Sequence, residues 1–362
     1  MLNKRRFVNE WLLSVMAWIA IVYFYALLTV FGFKGYFEQN PITEYMYSGF
    51  FHLEVVLTGV ILGTLFTAVN RVTDFSVIRT KPFGLIIFIK SILYILSLVL
   101  CTIIIYQIFY RLHIVTQEDF QFFQDYLFNI RYMASILSYF FFFIFLINFI
   151  SQINRKFGPG VLFDLLRGKY YHPRKEHLIF LFIDLKSSTA IAERLGHEKY
   201  SQFIRECVHE LTPVLIKNEA NVYQYVGDEV VLHWKTEEGL DQLKCLDTYF
   251  EFKRRLDERR LYFQNKYGLF PEFKAGMDTG EVTVTEIGDI KREIAFHGDV
   301  LNTASRLEKK CNEYERWLLV TENLIERFKG ISSAIAYQFE FLNDIPLRGK
   351  HERLKFFAVN HP

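Results

Sequence analysis

Two stretches decide the fold of the charged half of this chain: HLIFLFIDLKSST at residues 177–189 and VYQYVGDEVVLHW at residues 222–234. The first is an apolar run that ends in Asp184 and leads into a helical pattern, which predicts a buried strand with an acid at its carboxyl end. The second has a turn at Gly227 between two β-rich runs, which predicts a hairpin with Asp228 at its tip. The two stretches therefore predict two carboxylates delivered by separate strands to one site.

The pattern on either side of these stretches predicts a mixed α+β domain. Strands occur in adjacent pairs as well as in alternation with helices, which is typical of that class. A charged segment predicts one long helix over about 236–267. The later predicted elements are the strands FKAGMDTGEVTVTEI and REIAFH, the helix DVLNTASRLEKKCNEY, and the strands WLLV and LKFFAV.

The N-terminal part of the chain has a different composition. Residues 1–150 carry only 10 Lys/Arg and 8 Asp/Glu, whereas residues 151–362 carry 32 of each. A helix of roughly 20 apolar residues spans a bilayer, and four stretches meet that requirement, at about 11–31, 49–69, 84–109 and 132–150. The sequence therefore predicts a transmembrane domain at 1–150, a connector at 151–176 and a cytoplasmic domain at 177–362.

The basic residues of the short loops predict the orientation of these spans. Lys/Arg clusters precede the first span, separate the second from the third and follow the fourth, and such clusters mark the cytoplasmic side. We therefore expect a multi-pass cell-membrane protein with both termini in the cytoplasm. Within the spans, Lys90 and Glu54 either form a pair or take part in sensing a ligand. The alternative is that Glu54 lies near a helix end and Lys90 extends its ammonium to the cytoplasmic membrane surface.

Composition and cysteine spacing exclude several classes of protein. Both halves are close to neutral, which argues against a nucleic-acid binder, because such a protein needs a concentrated basic face. The four cysteines are scattered without CxxC spacing, so neither a zinc site nor a disulfide framework is predicted.

The residue types point to phosphate and metal chemistry. Asp184 and Asp228 suit a hard divalent cation that keeps positions open for phosphate oxygens. The segment Ser187, Ser188 and Thr189 enters a helix, where free backbone N–H groups can cradle a polyphosphate. The alternative for this segment is ordinary N-capping by Ser188 or Thr189.

A second group of residues, near the C-terminus, has the types that bind a sugar and phosphates. Asn302 and Arg306 are four residues apart on one predicted helical face, where an amide can orient a sugar and a guanidinium can meet phosphate charge. Lys350 precedes the last strand, from which a cation could reach a triphosphate.

These motifs resemble the class III nucleotidyl cyclases over about 177–359. The resemblance is carried, in order, by FIDLKSST, VYQYVGDEVV, GMDTGEV, HGDVLNTASRL and RGK. It implies a βαββαβ, ferredoxin-like core that forms a head-to-tail homodimer with shared active sites. It also implies that two Mg²⁺ or Mn²⁺ ions per site bind to Asp184, Ile183 and Asp228. Asn302 would position the ribose, Arg306 would stabilise the transition state, and Lys350 would contact the phosphates.

The expected reaction is the conversion of ATP to cyclic AMP and pyrophosphate at the inner face of the lipid bilayer. The positions that select the base depart from the usual family residues, because Gln224 and Ala295 stand where adenylyl cyclases often have Lys and Asp or Thr. Gln224 can donate to or accept from a base edge, which favours ATP and leaves GTP or a pyrimidine triphosphate open. The rival interpretation is a non-catalytic signalling platform with the same fold.

Overall fold

The computed structural model describes residues 4–33, 49–75, 81–111, 130–158, 161–331, 334, 336–346 and 353–361. The chain divides into two compact units, Met1–Phe157 and Gly158–Pro362. This division falls inside the predicted connector, 151–176.

The first unit contains long apolar helices. They are α1 (Lys4–Phe33), α2 (Gly49–Phe75), α3 (Phe83–Arg111) and α4 (Ile130–Phe157). Among the described residues, four segments are long and apolar enough to cross a membrane: Phe7–Leu28, Gly49–Thr73, Gly84–Arg111 and Ala134–Ser151. Each overlaps one of the stretches predicted from sequence.

Two glycines bring α1 and α2 close together. Cβ atoms built on Gly59 and Gly63 would lie 2.3 Å from a side-chain atom of Ile19 and 2.6 Å from the Cα of Val15. Without side chains at these positions the two backbones approach closely, as is common where apolar helices pack in membranes.

Lys90 is buried within the helices of this unit. Its Nζ donates a hydrogen bond of 2.8 Å to the side-chain oxygen of Asn70, which also accepts one from the Tyr94 hydroxyl. Asn70 lies sixteen residues beyond Glu54 on α2, about 24 Å along a helix axis. The predicted Glu54–Lys90 pair is therefore wrong, and so is the alternative that Lys90 extends outward, since only 1% of the residue is exposed.

The second unit opens with a short helix, α5 (Val161–Leu166), in which no residue is buried. After this helix, the predicted strands and helices follow in the predicted order. Its elements are β1 (Arg174–Leu185), α6 (Ser188–Leu195), α7 (His197–Lys217), β2 (Asn221–Val226), β3 (Glu229–Lys235), α8 (Thr236–Leu240), α9 (Lys244–Glu258), α10 (Arg260–Tyr267), β4 (Phe273–Ile287), β5 (Glu293–His297), α11 (Asp299–Glu313), β6 (Leu318–Thr321), α12 (Glu322–Phe328), β7 (Gln338–Pro346) and β8 (Arg353–Asn360).

The described strands form one mixed sheet in the order β2-β3-β1-β4-β6-β8-β7, with β5 paired to β4. The β4–β6 pair is parallel and the others are antiparallel. Helices α7, α9 and α10 contribute to the core on one face of the sheet, and α11 covers part of the other. The βαββαβ order confirms the predicted α+β class.

Some details differ from the sequence prediction. The predicted helix at 236–267 is divided, because Gln242 and Leu243 have φ of 52° and 59° and a second break follows at Arg259. Leu243 is fully buried, so its packing outweighs the strain of that backbone conformation. Strand β7 and helix α12 were not predicted by any sequence pattern, and β7 extends the sheet beyond β8.

Candidate active site

The two predicted acids lie side by side at one end of the central strands. Asp184 is the penultimate residue of β1, and Asp228 follows Gly227, whose φ of 64° forms the turn between β2 and β3. Strand β3 pairs with β1 up to the contact of Val230 with Ile183, so the hairpin tip comes next to Asp184.

Burial and proximity make this pair of carboxylates electrostatically unfavourable. Burial raises the pKa of Asp184 above its usual range, and the Glu308 carboxylate adds to the rise. Burial also raises the pKa of Asp228; a hydrogen bond from Ser188 opposes this rise and the Asp184 carboxylate increases it. A cation bound between the two aspartates would relieve both effects.

The residues present fit a hard divalent cation. The Oδ2 atom of Asp228 is buried and has no hydrogen-bond partner. Buried oxygens normally have one, so this atom is suited to bind a cation. The side chain of Ile183 is a hydrocarbon and carries no ligating atom, so this residue can offer only its backbone oxygen. Among the described residues no group of three or more His, Cys, Asp or Glu could hold a metal. Two carboxylates are thus the acidic donors, and phosphate oxygens would complete the shell.

The loop after Asp184 leaves a helix N-terminus without a side-chain cap. Ser187 adopts the left-handed conformation, with φ of 58° and ψ of 34°, and α6 begins at Ser188 with no side-chain capping hydrogen bond. Capping by Ser188 or Thr189 is therefore wrong, because the N-cap position belongs to Ser187. The first N–H groups of α6 remain available for an anion.

Helix α11 presents different residues on its two faces. Glu308 faces the sheet and is 1% exposed, whereas Asn302 and Arg306 are exposed. At 100° per residue, Arg306 and Glu308 point in nearly opposite directions. The sugar-binding and phosphate-binding candidates therefore share one outward face, as their four-residue spacing predicts.

The two positions predicted to select the base lie on strands that approach one another. Gln224 is exposed on β2, and Ala295 is 7% exposed on β5. The ring centroids of their neighbours Tyr223 and Phe296 are 4.8 Å apart. Of the remaining predicted site residues, Lys350 lies outside the described residues.

Comparison with known proteins identifies the domain. The family model described as the adenylate and guanylate cyclase catalytic domain matches residues 170–360, more than half of the chain. The chain belongs to this family. The resemblance to class III nucleotidyl cyclases is thereby confirmed.

Individual relatives of this cyclase domain are distant. "Adenylate cyclase 2" of Rhizobium meliloti is 27% identical over 213 residues, which cover 59% of this chain and 58% of the relative. "Adenylate cyclase, terminal-differentiation specific" of Dictyostelium discoideum is 21% identical over 188 residues, covering 50% of this chain and 8% of the relative. The chain thus spans less than two thirds of the length of both. A bacterial light-regulated adenylyl cyclase has a similar fold, with 18% identity and a TM-score of 0.51 over 62% of this chain and 65% of that one.

Two charged residues at the cyclase site were not predicted from sequence. Lys274 of β4 forms ion pairs with Asp184 and with Glu308 of α11. A lysine inside the apolar run FKAGM was the available signal, because a buried lysine requires an acidic partner. The sequence did not indicate which acids would meet it.

Proposed function

We propose that this chain is a membrane-anchored adenylate cyclase that converts ATP to 3′,5′-cyclic AMP and pyrophosphate. The observation that carries the proposal is the pair of half-buried, mutually repelling carboxylates of Asp184 and Asp228, one of which has an unpartnered oxygen. Such a pair suits Mg²⁺ or Mn²⁺ in a domain of the cyclase family.

The reaction needs charge stabilisation more than acid–base chemistry. The 3′-oxygen of the ribose bonds to the α-phosphorus, the bond from that phosphorus to the bridging oxygen breaks, and the hydroxyl proton leaves to water. Two divalent ions held by Asp184 and Asp228, with the backbone of Ile183, would supply positive charge to the nucleophile and the phosphates. The N–H groups of the Ser187–Thr189 segment would bind the polyphosphate.

The other residues would act on the sugar and the developing charge. Asn302 would orient the ribose so that the 3′-oxygen lies in line with the leaving group, and Arg306 would stabilise negative charge at the α-phosphate. Lys350 would contact the terminal phosphates.

We propose further that each active site is shared between two copies of the chain. Asn302 and Arg306 point away from the sheet of their own chain, where a second copy could present its aspartates to them. A two-fold homodimer would then hold two equivalent composite sites. Coexpression of Asp228→Ala chains with Arg306→Ala chains should restore part of the activity that each variant lacks alone, since one site in each heterodimer is intact. Absence of recovery in purified heterodimers would refute the shared site.

ATP is the proposed substrate among the nucleoside triphosphates. The exposed amide of Gln224 can pair with an adenine edge, as glutamine commonly does, and the two relatives named above are adenylate cyclases. Full-length protein in membranes, given Mn²⁺ and ATP, GTP, CTP or UTP separately, should form cyclic AMP from ATP when products are identified by mass spectrometry. Another cyclic product would refute the base assignment. No product from an Mn²⁺-loaded protein would favour the non-catalytic platform.

The membrane arrangement is also part of the proposal. Four helices of suitable length and apolarity would place the first unit in the cell membrane, and the basic loops would keep both termini in the cytoplasm. Residues 1–150, 151–176 and 177–362 would be membrane domain, connector and catalytic domain. A C-terminal green fluorescent protein should fluoresce and a C-terminal alkaline phosphatase should be inactive; the reverse result would refute this topology.

A further inference from the structure

Lys274 lies between the candidate metal site and helix α11. It faces Asp184 directly across the antiparallel β1–β4 pair. Its Nζ is 3.3 Å from Oδ2 of Asp184 and 2.5 Å from Oε1 of Glu308. The side chains of Lys274 and Glu308 are only 8% and 1% exposed, whereas that of Asp184 is 23% exposed.

The surroundings of Lys274 hold its ammonium in one place. A buried lysine and a buried glutamate require one another, because either charge alone is strongly unfavourable in the interior. The same stretch of β4 is held tightly against α11, since Gly276 allows the backbones of the two elements to meet. The sheet therefore fixes the stem of Lys274 and the helix fixes its charged end.

The contact with Asp184 is not needed to balance the charge of the Lys274 ammonium. Glu308 alone balances the ammonium of Lys274, so the second contact has another consequence. It fixes one oxygen of a carboxylate that repels its neighbours Asp228 and Glu308, and so it sets the orientation in which that carboxylate meets a cation.

We propose that Lys274 is a positioning residue for the metal-binding carboxylate of Asp184. Glu308 holds the ammonium, and the ammonium holds Oδ2 of Asp184 in the orientation in which the carboxylate binds Mg²⁺ or Mn²⁺. The assignment rests on the proposed cyclase function for the role of the cation. Its direct consequence is a property that can be measured without turnover, the affinity for Mn²⁺.

The experiment compares Mn²⁺ binding by full-length variants in detergent. Free Mn²⁺ is measured by electron paramagnetic resonance, with and without 3′-deoxy-ATP, which lacks the attacking oxygen and cannot cyclise. Lys274→Met should weaken Mn²⁺ binding at least tenfold, and Lys274→Arg should restore most of it. The matched control is Lys175→Met, because Lys175 pairs with Glu281 across the same two strands, at 2.8 Å and largely exposed; its Mn²⁺ affinity should equal that of the wild type.

A double variant separates positioning from simple neutralisation of Glu308. Lys274→Met with Glu308→Met removes both buried charges, so it should fold even if Lys274→Met alone does not. It should still bind Mn²⁺ at least tenfold more weakly than the wild type. Wild-type affinity in the double variant would overturn the proposal, because the lysine would then only balance Glu308. Tighter binding in either variant would also overturn it, because the lysine would then compete with the cation.

The same measurement separates this proposal from the proposed function. A wild-type protein that binds Mn²⁺ and forms no cyclic nucleotide would refute the activity, while weakened binding in Lys274→Met would still support the positioning role. If the wild-type protein forms cyclic AMP and the Lys274→Met variant binds Mn²⁺ as tightly as the wild type, the positioning role alone is refuted. A wild-type protein that does not bind Mn²⁺ would refute both.

Discussion

Gly276→Ala should remove most of the proposed cyclase activity, because it displaces the helix that carries Asn302 and Arg306. A Cβ atom at this position would lie 2.2 Å from the backbone oxygen of Ala304 and 2.3 Å from the backbone nitrogen of Glu308. Ordinary contacts begin at 3.4 Å, so the β4 and α11 backbones must separate by about 1.2 Å. Neither partner is a flexible side chain that could rotate away.

This displacement should affect catalysis more than folding. Overpacking of this kind destabilises by about 1–3 kcal/mol, which a domain of this size can tolerate. A misplacement of about 1 Å in groups that orient a substrate can reduce a rate by about 100-fold. We therefore expect kcat for cyclic AMP formation to fall by about two orders of magnitude, with a cooperative unfolding transition retained.

A graded series of glycine variants provides the control. A Cβ at Gly280 would meet only the Cγ2 atom of Val300, at 2.8 Å, and one at Gly84 would meet nothing within 4 Å. Activity should therefore decrease in the order Gly84→Ala, Gly280→Ala, Gly276→Ala, measured as cyclic AMP formed at saturating ATP and Mn²⁺. A kcat for Gly276→Ala within about threefold of the wild type would refute the inference that the α11–β4 distance sets the geometry of the site.

Three further predictions concern stability and reactivity. Glu210→Gln should lower the free energy of unfolding by about 2 kcal/mol in urea titrations. This loss is smaller than the ~3–5 kcal/mol expected for a fully buried ion pair, because the two arginine partners of Glu210 are 36% and 40% exposed. An unchanged unfolding midpoint would contradict the prediction. Burial raises the pKa of Asp278 to about 7, so the folded state binds an extra proton and the wild type should lose about 4 kcal/mol of stability as the pH rises from about 4 to about 7. Asp278→Asn should remove that contribution and leave the smaller slope due to Asp184 and Asp228, whose pKa values are also raised; a slope as steep in the variant as in the wild type would refute this prediction. Burial raises the thiol pKa of both Cys245 and Cys311 to about 12, so neither should react with a disulfide reagent at pH 8 until urea unfolds the protein; rapid reaction in the native state would show that the core around them opens.

Local patterns in the sequence determined the elements of this protein and the placement of its two acids. Apolar runs of about twenty residues predict the four long helices, and β-rich runs that end at an acid or at Gly227 predict the strands that deliver Asp184 and Asp228. These features depend on neighbours within a few residues, such as turn chemistry and hydrophobic period. For the same reason the four-residue spacing of Asn302 and Arg306 was enough to place them on one helical face.

Only the tertiary structure decided which distant residues meet. The antiparallel register brings Lys274 to Asp184, ninety positions earlier in the chain, and the packing of α11 brings Glu308 to the same point. The break at Leu243 is equally non-local, because core packing there overrides the helical pattern of the segment. A sequence period specifies which face of an element is apolar but not which partner covers it. The proposed positioning of Asp184 therefore follows from pairing between strands and packing between layers, which no single stretch of the chain contains.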